Sequence, residues 1–276
     1  MEVKVASALG FCKGVSHSLE KVRMAYAAAL EKGVSCYIYG DIVHNGYVIN
    51  ELERNGIRSI SSPDEAEPGI LVIRAHGISD SERDAFVSAG FEIVDATCPV
   101  VLKNQSLIRN SEKRVIIFGT ASHAEVVALS GSGASAPLVL SGSQDLDKID
   151  PSLSYNAILQ TTFSEEELIN IRKAIREKGL SVEILNDICN ASRIRRAALH
   201  SLVEEVDAVV VVGDKRSANT NELARIAREG GKAGFLVESF RDIPIDVLEY
   251  EKVGLTAGAS TPSVIYREVE EALRRK

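Results

Sequence analysis

Residues 94–126 read VDATCPVVLKNQSLIRNSEKRVIIFGTASHAEV. Cys98 stands in a strand-to-helix turn. Twenty-one residues later the apolar run Ile116-Ile117-Phe118 ends in Gly119, and His123 follows four residues beyond before a helical pattern resumes. Apolar runs that end in glycine or small polar residues and alternate with helical patterns are the sequence sign of βα units around a parallel sheet. The fold class expected is therefore α/β.

The same order of features recurs before and after this stretch, which points to an internal repeat. Cysteines in equivalent turns lie in ALGFCKGV at Cys12 and LNDICNAS at Cys189, 86 residues before and 91 after Cys98. Strands ending at Gly40 and Gly213 then lead, four residues on, to His44 and Ser217. A third strand ends in small polar residues each time: IRAHG with His76, LQTTFS with Thr161 and Thr162, LTAGAS with Ser260. These lie 64, 64 (to Thr162) and 71 residues after the cysteine of their repeat. The reading expects three α/β units, 13–97, 98–188 and 189–276 with 1–12 added to the third. Turns after strand C-termini open on one edge of a parallel sheet, where ligands bind. Three units about a pseudo-threefold axis would aim the three cysteines at one point. The stretch Val3–Leu9 looks like a strand. Val15, Leu19, Val22, Tyr26 and Ala29 mark a helix after Cys12 that closes at Glu31-Lys32-Gly33.

Hydrophobic residues at 45% and charged residues at 26% exclude a disordered or fibrous chain. The longest apolar runs are strand-length, so no membrane span is expected, and no signal or transit segment is visible. A formal charge of -7 and the absence of tryptophan argue against a nucleic-acid partner. Four cysteines without a Cys-x-x-Cys pair suggest a reducing, cytoplasmic location.

One cysteine alone reads as a small buried apolar residue, and Cys36 in Cys36-Tyr37-Ile38-Tyr39 is taken that way. Cys12, Cys98 and Cys189 sit beside glycine, proline or asparagine in turns and are candidate metal ligands. Three thiolates suit zinc or an iron-sulfur cluster, and ligand count alone does not separate them. His44, His76, His123, Thr161, Thr162, Ser217, Asn219 and Ser260 add neutral or switchable donors that, with helix N-termini, could hold a diphosphate. Glu125 is either a proton donor or a helix-capping carboxylate. His17 and His200 fall within helical patterns. The readings to separate are a cluster-bearing reductase, a zinc hydrolase with Glu125 as base, and a non-catalytic cluster protein acting as a sensor.

GFCKGV at Cys12, Val43-His44-Asn45, Ala75-His76-Gly77, DATCP ending at Pro99, His123-x-Glu125, QTT at Gln160–Thr162, ICNA at Cys189, SxNT at Ser217–Thr220 and GxTAGASTP at Gly254–Pro262 occur in order. Together they resemble the 4-hydroxy-3-methylbut-2-enyl diphosphate reductases, the terminal enzymes of the non-mevalonate isoprenoid pathway. The resemblance implies three α/β domains around a 4Fe-4S cluster held by Cys12, Cys98 and Cys189, with the substrate hydroxyl on the fourth iron. It implies diphosphate binding by His44, His76, His123, Ser217, Asn219 and Ser260, and proton handling by Glu125 and Thr162. Two electrons and two protons would expel water and leave an allylic anion, protonated to isopentenyl or dimethylallyl diphosphate. The implied electron donor is a protein such as ferredoxin or flavodoxin. The chain departs from the family pattern at Ser16-His17, Arg74, Leu102–Gln105, Ser122, Ala124, Val126–Gly133 and Ala218. Loss of one serine hydroxyl costs about 1 kcal/mol of ligand binding.

Overall fold

A computed structural model describes residues 1–275 of the chain; the last residue of the expected third unit, 276, lies outside them. The chain opens with β1 (Glu2–Val5) and α1 (Lys13–Lys32). β2 (Cys36–Tyr39), α2 (Gly46–Arg54), β3 (Arg58–Ile60), β4 (Ile70–Ile73), α3 (Asp80–Ser88) and β5 (Glu92–Asp95) follow. Next come α4 (Pro99–Arg109), β6 (Arg114–Phe118), α5 (Ala124–Ser130), β7 (Leu138–Leu140), β8 (Ser154–Leu159), α6 (Glu165–Glu177) and β9 (Ser181–Ile184). The chain ends with α7 (Asn190–Val203), β10 (Ala208–Val212), α8 (Ala218–Glu229), β11 (Ala233–Val237), β12 (Lys252–Ala257) and α9 (Ser263–Arg274).

Among the described residues these strands form three four-stranded sheets, all of whose pairings are parallel. The orders are β3-β2-β4-β5, β7-β6-β8-β9 and β11-β10-β12-β1. One order is thus used three times, and the third sheet borrows its last strand from the start of the chain. The central strands β2, β4 and β10 are buried along their whole length, as a parallel sheet covered on both faces requires. Edge strands β5 and β9 carry exposed residues instead, which discourages pairing with another sheet.

Alternate residues serve opposite faces. In the second sheet Ile116, Phe118, Ala157 and Leu159 join Leu168, Ile171 and Ile175 of α6, while Ile117 and Ile158 join Ile108 of α4 and Leu129 of α5. In the third, Val210, Val212 and Leu255 join Val269 and Leu273 of α9, while Val209 and Val211 join Leu199 and Leu202 of α7 and Leu223 of α8. The layers are helix, sheet, helix.

The chain parts into two compact units. One comprises Met1–Ser16, Val43–Glu51 and the chain from Asn190 onward, and holds the β11-β10-β12-β1 sheet; the other comprises His17–Ile42 and Leu52–Cys189, and holds the other two sheets.

Helix α1 covers the expected pattern, with Val15, Val22 and Ala29 buried, and ends where Gly33 takes φ +68°. Strand β1 is shorter than the strand-like stretch Val3–Leu9. Beyond Val5 the chain follows β12 through two bonds, Ala6 N–H to Leu255 and Gly10 N–H to Ala257. Gly10 then turns left-handed at φ +72°, where a Cβ would lie 2.7 Å from the Tyr266 ring. That turn delivers Cys12 to the start of α1.

Candidate functional site

Each repeat places its cysteine by one device. The edge strand runs past its end, and the cysteine N–H donates to the carbonyl two residues beyond the neighbouring strand. Cys12 pairs with Ala259 after β12, Cys98 with Ala75 after β4, and Cys189 with Thr161 after β8, at 3.1, 3.0 and 3.1 Å. Helices α1, α4 and α7 begin at or just after these residues. With the main chain tied, the thiol is the group left for a ligand, and a helix N-terminus adds unpaired N–H donors beside it. The N–H of Val15 lies 3.4 Å from Cys12 Sγ. No disulfide joins the four cysteines among the described residues, and Cys12, Cys98 and Cys189 are half-buried. Cys36 is buried in β2, and burial pushes its thiol up to about 11. It remains a protonated core residue at neutral pH. Three half-buried thiols in equivalent turns suit a thiophilic centre such as an iron-sulfur cluster.

The unit that holds Cys12 also holds His44, Ser217, Asn219 and Ser260. Ser217, five residues past β10, caps α8 by accepting from the Thr220 N–H at 3.4 Å. Asn219 is buried in the first turn, and its Nδ2 has no hydrogen-bond partner among the described residues. An orphaned buried amide costs about 1–3 kcal/mol, so a donor left this way at the start of a twelve-residue helix suits an anion. Ser260 Oγ, three residues past β12, donates to the His44 carbonyl at 3.0 Å. Asp214, just past β10, accepts from the Gly46 N–H at 3.0 Å and fixes the start of α2 beside His44. Burial pushes its carboxyl up, but bonds from Arg216 and from the Gly46 N–H outweigh that and hold it low.

The other unit holds Cys98 and Cys189 with His76, His123, Glu125 and Thr162. His76, three residues past β4, and His123, the N-cap of α5, meet edge to face with ring centroids 5.5 Å apart. His123 Nδ1 accepts from the Glu125 N–H at 3.2 Å. The Glu125 carboxyl is buried and accepts twice from Thr161, from its N–H at 2.8 Å and its hydroxyl at 2.6 Å. Gln160 spans two turns: its Oε1 accepts from the Thr120 N–H at 3.0 Å, and its Nε2 donates to Thr162 Oγ1 at 2.9 Å. The cap and the proton donor were alternatives for Glu125 in the sequence. In the structure His123 caps the helix, and the Glu125 side chain is occupied with Thr161.

Burial pushes the Glu125 carboxyl up to about 7 from an ordinary 4.5, against the two Thr161 bonds that pull it down. The folded protein thus holds this proton more tightly than the unfolded chain. The resulting stability is fully present below about pH 4.5 and is lost as pH rises through about 7. Glu125→Gln does not titrate there. Between about pH 5 and pH 8 it should gain roughly 3 kcal/mol relative to the parent in urea unfolding. A difference that stays constant over that range would show that the carboxyl titrates alike in both states.

Asp214, Gln160 and the hydroxyl of Thr161 as partner of Glu125 are site features the sequence reading missed. The signals present were the aspartate directly after Gly213 and the glutamine that opens QTT.

A model of the LytB protein family matches residues 3–274. The chain is 35% identical over 286 residues to the 4-hydroxy-3-methylbut-2-enyl diphosphate reductase of Treponema denticola, covering 99% of each chain. It is 36% identical over 283 residues to that of Solidesulfovibrio magneticus, again with 99% of each covered. Its fold superposes on the E-1-hydroxy-2-methyl-but-2-enyl-4-diphosphate reductase of Plasmodium falciparum with a TM-score of 0.91 at 26% identity, over 99% of this chain and 87% of that one. A solved (E)-4-hydroxy-3-methyl-but-2-enyl diphosphate reductase, described as the terminal enzyme of the non-mevalonate pathway, matches with a TM-score of 0.70 at 26% identity over the full length of both.

Proposed function

Because this chain belongs to the LytB protein family, we propose that it is an oxidoreductase that reduces 4-hydroxy-3-methylbut-2-enyl diphosphate, the substrate named for its relatives. Cys12, Cys98 and Cys189 would hold a 4Fe-4S cluster, which when bound supplies electrons and leaves one iron without a protein ligand. The observation that carries this reading is the shared placement of the three thiols, each amide tied two residues past the neighbouring strand. We read the domains as 13–97, 98–188 and 189–276 with 1–12, supported by the strand order used three times.

His44, His76, His123, Ser217, Asn219 and Ser260 are assigned to the diphosphate. Glu125 is assigned the proton that leaves with the substrate hydroxyl as water, and Thr162 the orientation of that oxygen. The reaction balances with two electrons and two protons. The carbon-oxygen bond breaks, one proton departs in water, and the other goes to either end of the allylic carbons to give isopentenyl or dimethylallyl diphosphate. The electrons come from a protein donor of the ferredoxin or flavodoxin class. Among the described residues no helix is long and apolar enough to cross a membrane. Four cysteines outside any disulfide suit a reducing, cytoplasmic location.

Anaerobic reconstitution with iron and sulfide, followed by turnover with a chemical reductant, tests the reading. A brown protein that consumes two electrons per prenyl diphosphate formed is expected. A colourless zinc protein that does not reduce the substrate would overturn it. Asn219→Ala should raise KM by about tenfold, the loss of one hydrogen bond to a charged group, while the visible spectrum stays that of the parent. An unchanged KM would remove Asn219 from the anion site.

A further inference from the structure

Helices α1, α4 and α7 each carry a buried polar residue six positions after their cysteine. These are Ser18, Asn104 and Arg195, with exposures of 0%, 1% and 6%. A buried polar side chain must be hydrogen-bonded or it destabilises the fold. Two of the three make the same bond. Ser18 Oγ donates to the Ala96 carbonyl at 2.6 Å, and the Arg195 guanidinium donates to the Gly10 carbonyl at 2.5 Å. Ala96 lies two residues before Cys98, and Gly10 lies two residues before Cys12. The helix that starts at Cys12 therefore grips the turn that ends at Cys98, and the helix that starts at Cys189 grips the turn that ends at Cys12.

The third helix carries a residue at the same position without the equivalent bond. The helix that starts at Cys98 carries Asn104, whose buried Nδ2 has no partner among the described residues. The carbonyl two residues before Cys189 is that of Asp187. Leu185, two residues earlier, packs against the cluster that contains Ile108 of the same helix. Ile108, one helical turn after Asn104, and Leu185 thus share one side of the second sheet.

We propose that Ser18, Asn104 and Arg195 are positioning residues for the three cysteine turns in cyclic order: Ser18 and Arg195 grip the carbonyl two residues ahead of the next cysteine, and Asn104 holds the same helix position in the repeat that leads to Cys189. The clasp rests on hydrogen bonds of the chain itself; that it serves an iron-sulfur cluster rests on the function proposed above. A turn held twice, at the cysteine amide and at the carbonyl two residues before it, loses little entropy on ligation. Freed of the second grip, it opens more often, and its thiol is exposed more of the time.

The test uses the full-length chain as parent, Ser18→Ala, Asn104→Ala and Arg195→Met. Each is reconstituted, its iron release to a chelator is timed, and the iron-free protein is alkylated with iodoacetamide and read cysteine by cysteine by mass spectrometry. Each variant should speed alkylation at a distant cysteine by about threefold or more: Cys98 in Ser18→Ala, Cys189 in Asn104→Ala, and Cys12 in Arg195→Met. The remaining two ligand cysteines should stay near the parent rate. Ser18→Thr and Arg195→Lys keep a donor and should restore it. Uniform acceleration at all three, or acceleration only at the cysteine of the same helix, would overturn the clasp in favour of a general packing role. Should Arg195→Met not fold, the other two variants decide. If the parent takes up no iron and sulfide, the cluster reading fails, yet the alkylation pattern still decides the clasp.

Discussion

Cys12→Ser, Cys98→Ser and Cys189→Ser are each expected to lose most bound iron and sulfide and to lower turnover by more than about 100-fold. Loss of an outer partner of a metal ligand alone costs about 10–100-fold, and a serine hydroxyl is a far poorer iron ligand than a thiolate. The main chain at each position should be undisturbed, because the bonds to Ala259, Ala75 and Thr161 are made by the amide and not by the sulfur. Iron and sulfide analysis beside circular dichroism separates lost ligation from lost folding. Cys36→Ser is the control. It places a hydroxyl in a fully buried strand and should lower stability by about 1–3 kcal/mol while iron content stays at the parent level. Full cluster content in any of the first three variants would overturn the ligand assignment.

Glu125→Gln is expected to bind substrate nearly as the parent does and to turn over roughly 100-fold more slowly, the usual scale for loss of a general acid. The carboxyl sits near its midpoint at neutral pH because burial outweighs the two bonds from Thr161, so a proton is available there without a strongly acidic group. Glutamine keeps one oxygen to accept from the Thr161 N–H, and its NH2 can donate to the Thr161 hydroxyl, but it has no acidic proton to give. Thr161→Val removes the hydroxyl that donates to Glu125; it should raise the carboxyl further and move the alkaline limb of the kcat profile upward. Turnover of Glu125→Gln within about threefold of the parent would take Glu125 out of the proton path.

The repeat was legible because strand ends, glycines and polar residues recur along the chain at fixed offsets. His44, His123 and Ser217 stand five residues past β2, β6 and β10, and His76, Thr162 and Ser260 three past β4, β8 and β12. Strand order was not legible, since neither spacing nor hydrophobicity says that β4 lies between β2 and β5. The role of Thr161 was hidden for a similar reason: Glu125 lies 36 residues away and meets it only when β6 pairs with β8. Ser18, Asn104 and Arg195 read as ordinary helix residues until burial marks them. The stretch Val3–Leu9 looked longer as a strand than it is, because the residue pattern does not reveal that past Val5 the pairing with β12 thins to the Ala6 and Gly10 amides.

Strand β1 pairs with β12 through registers such as Glu2 with Lys252, and the Arg274 guanidinium donates to the Val3 carbonyl at 3.0 Å. During synthesis β1 leaves the ribosome first, but its partner is made some 250 residues later. At about 5–20 residues per second it stays unpaired for roughly ten to fifty seconds. The β2–β5 and β6–β9 sheets have no such wait, because their strands are made consecutively. Cys12, set by the last pairing to form, is thus the final thiol to reach its place, and iron and sulfide should enter a finished chain. A ribosome-bound chain stalled before β12 should leave Cys12 open to alkylation after Cys98 and Cys189 have become protected.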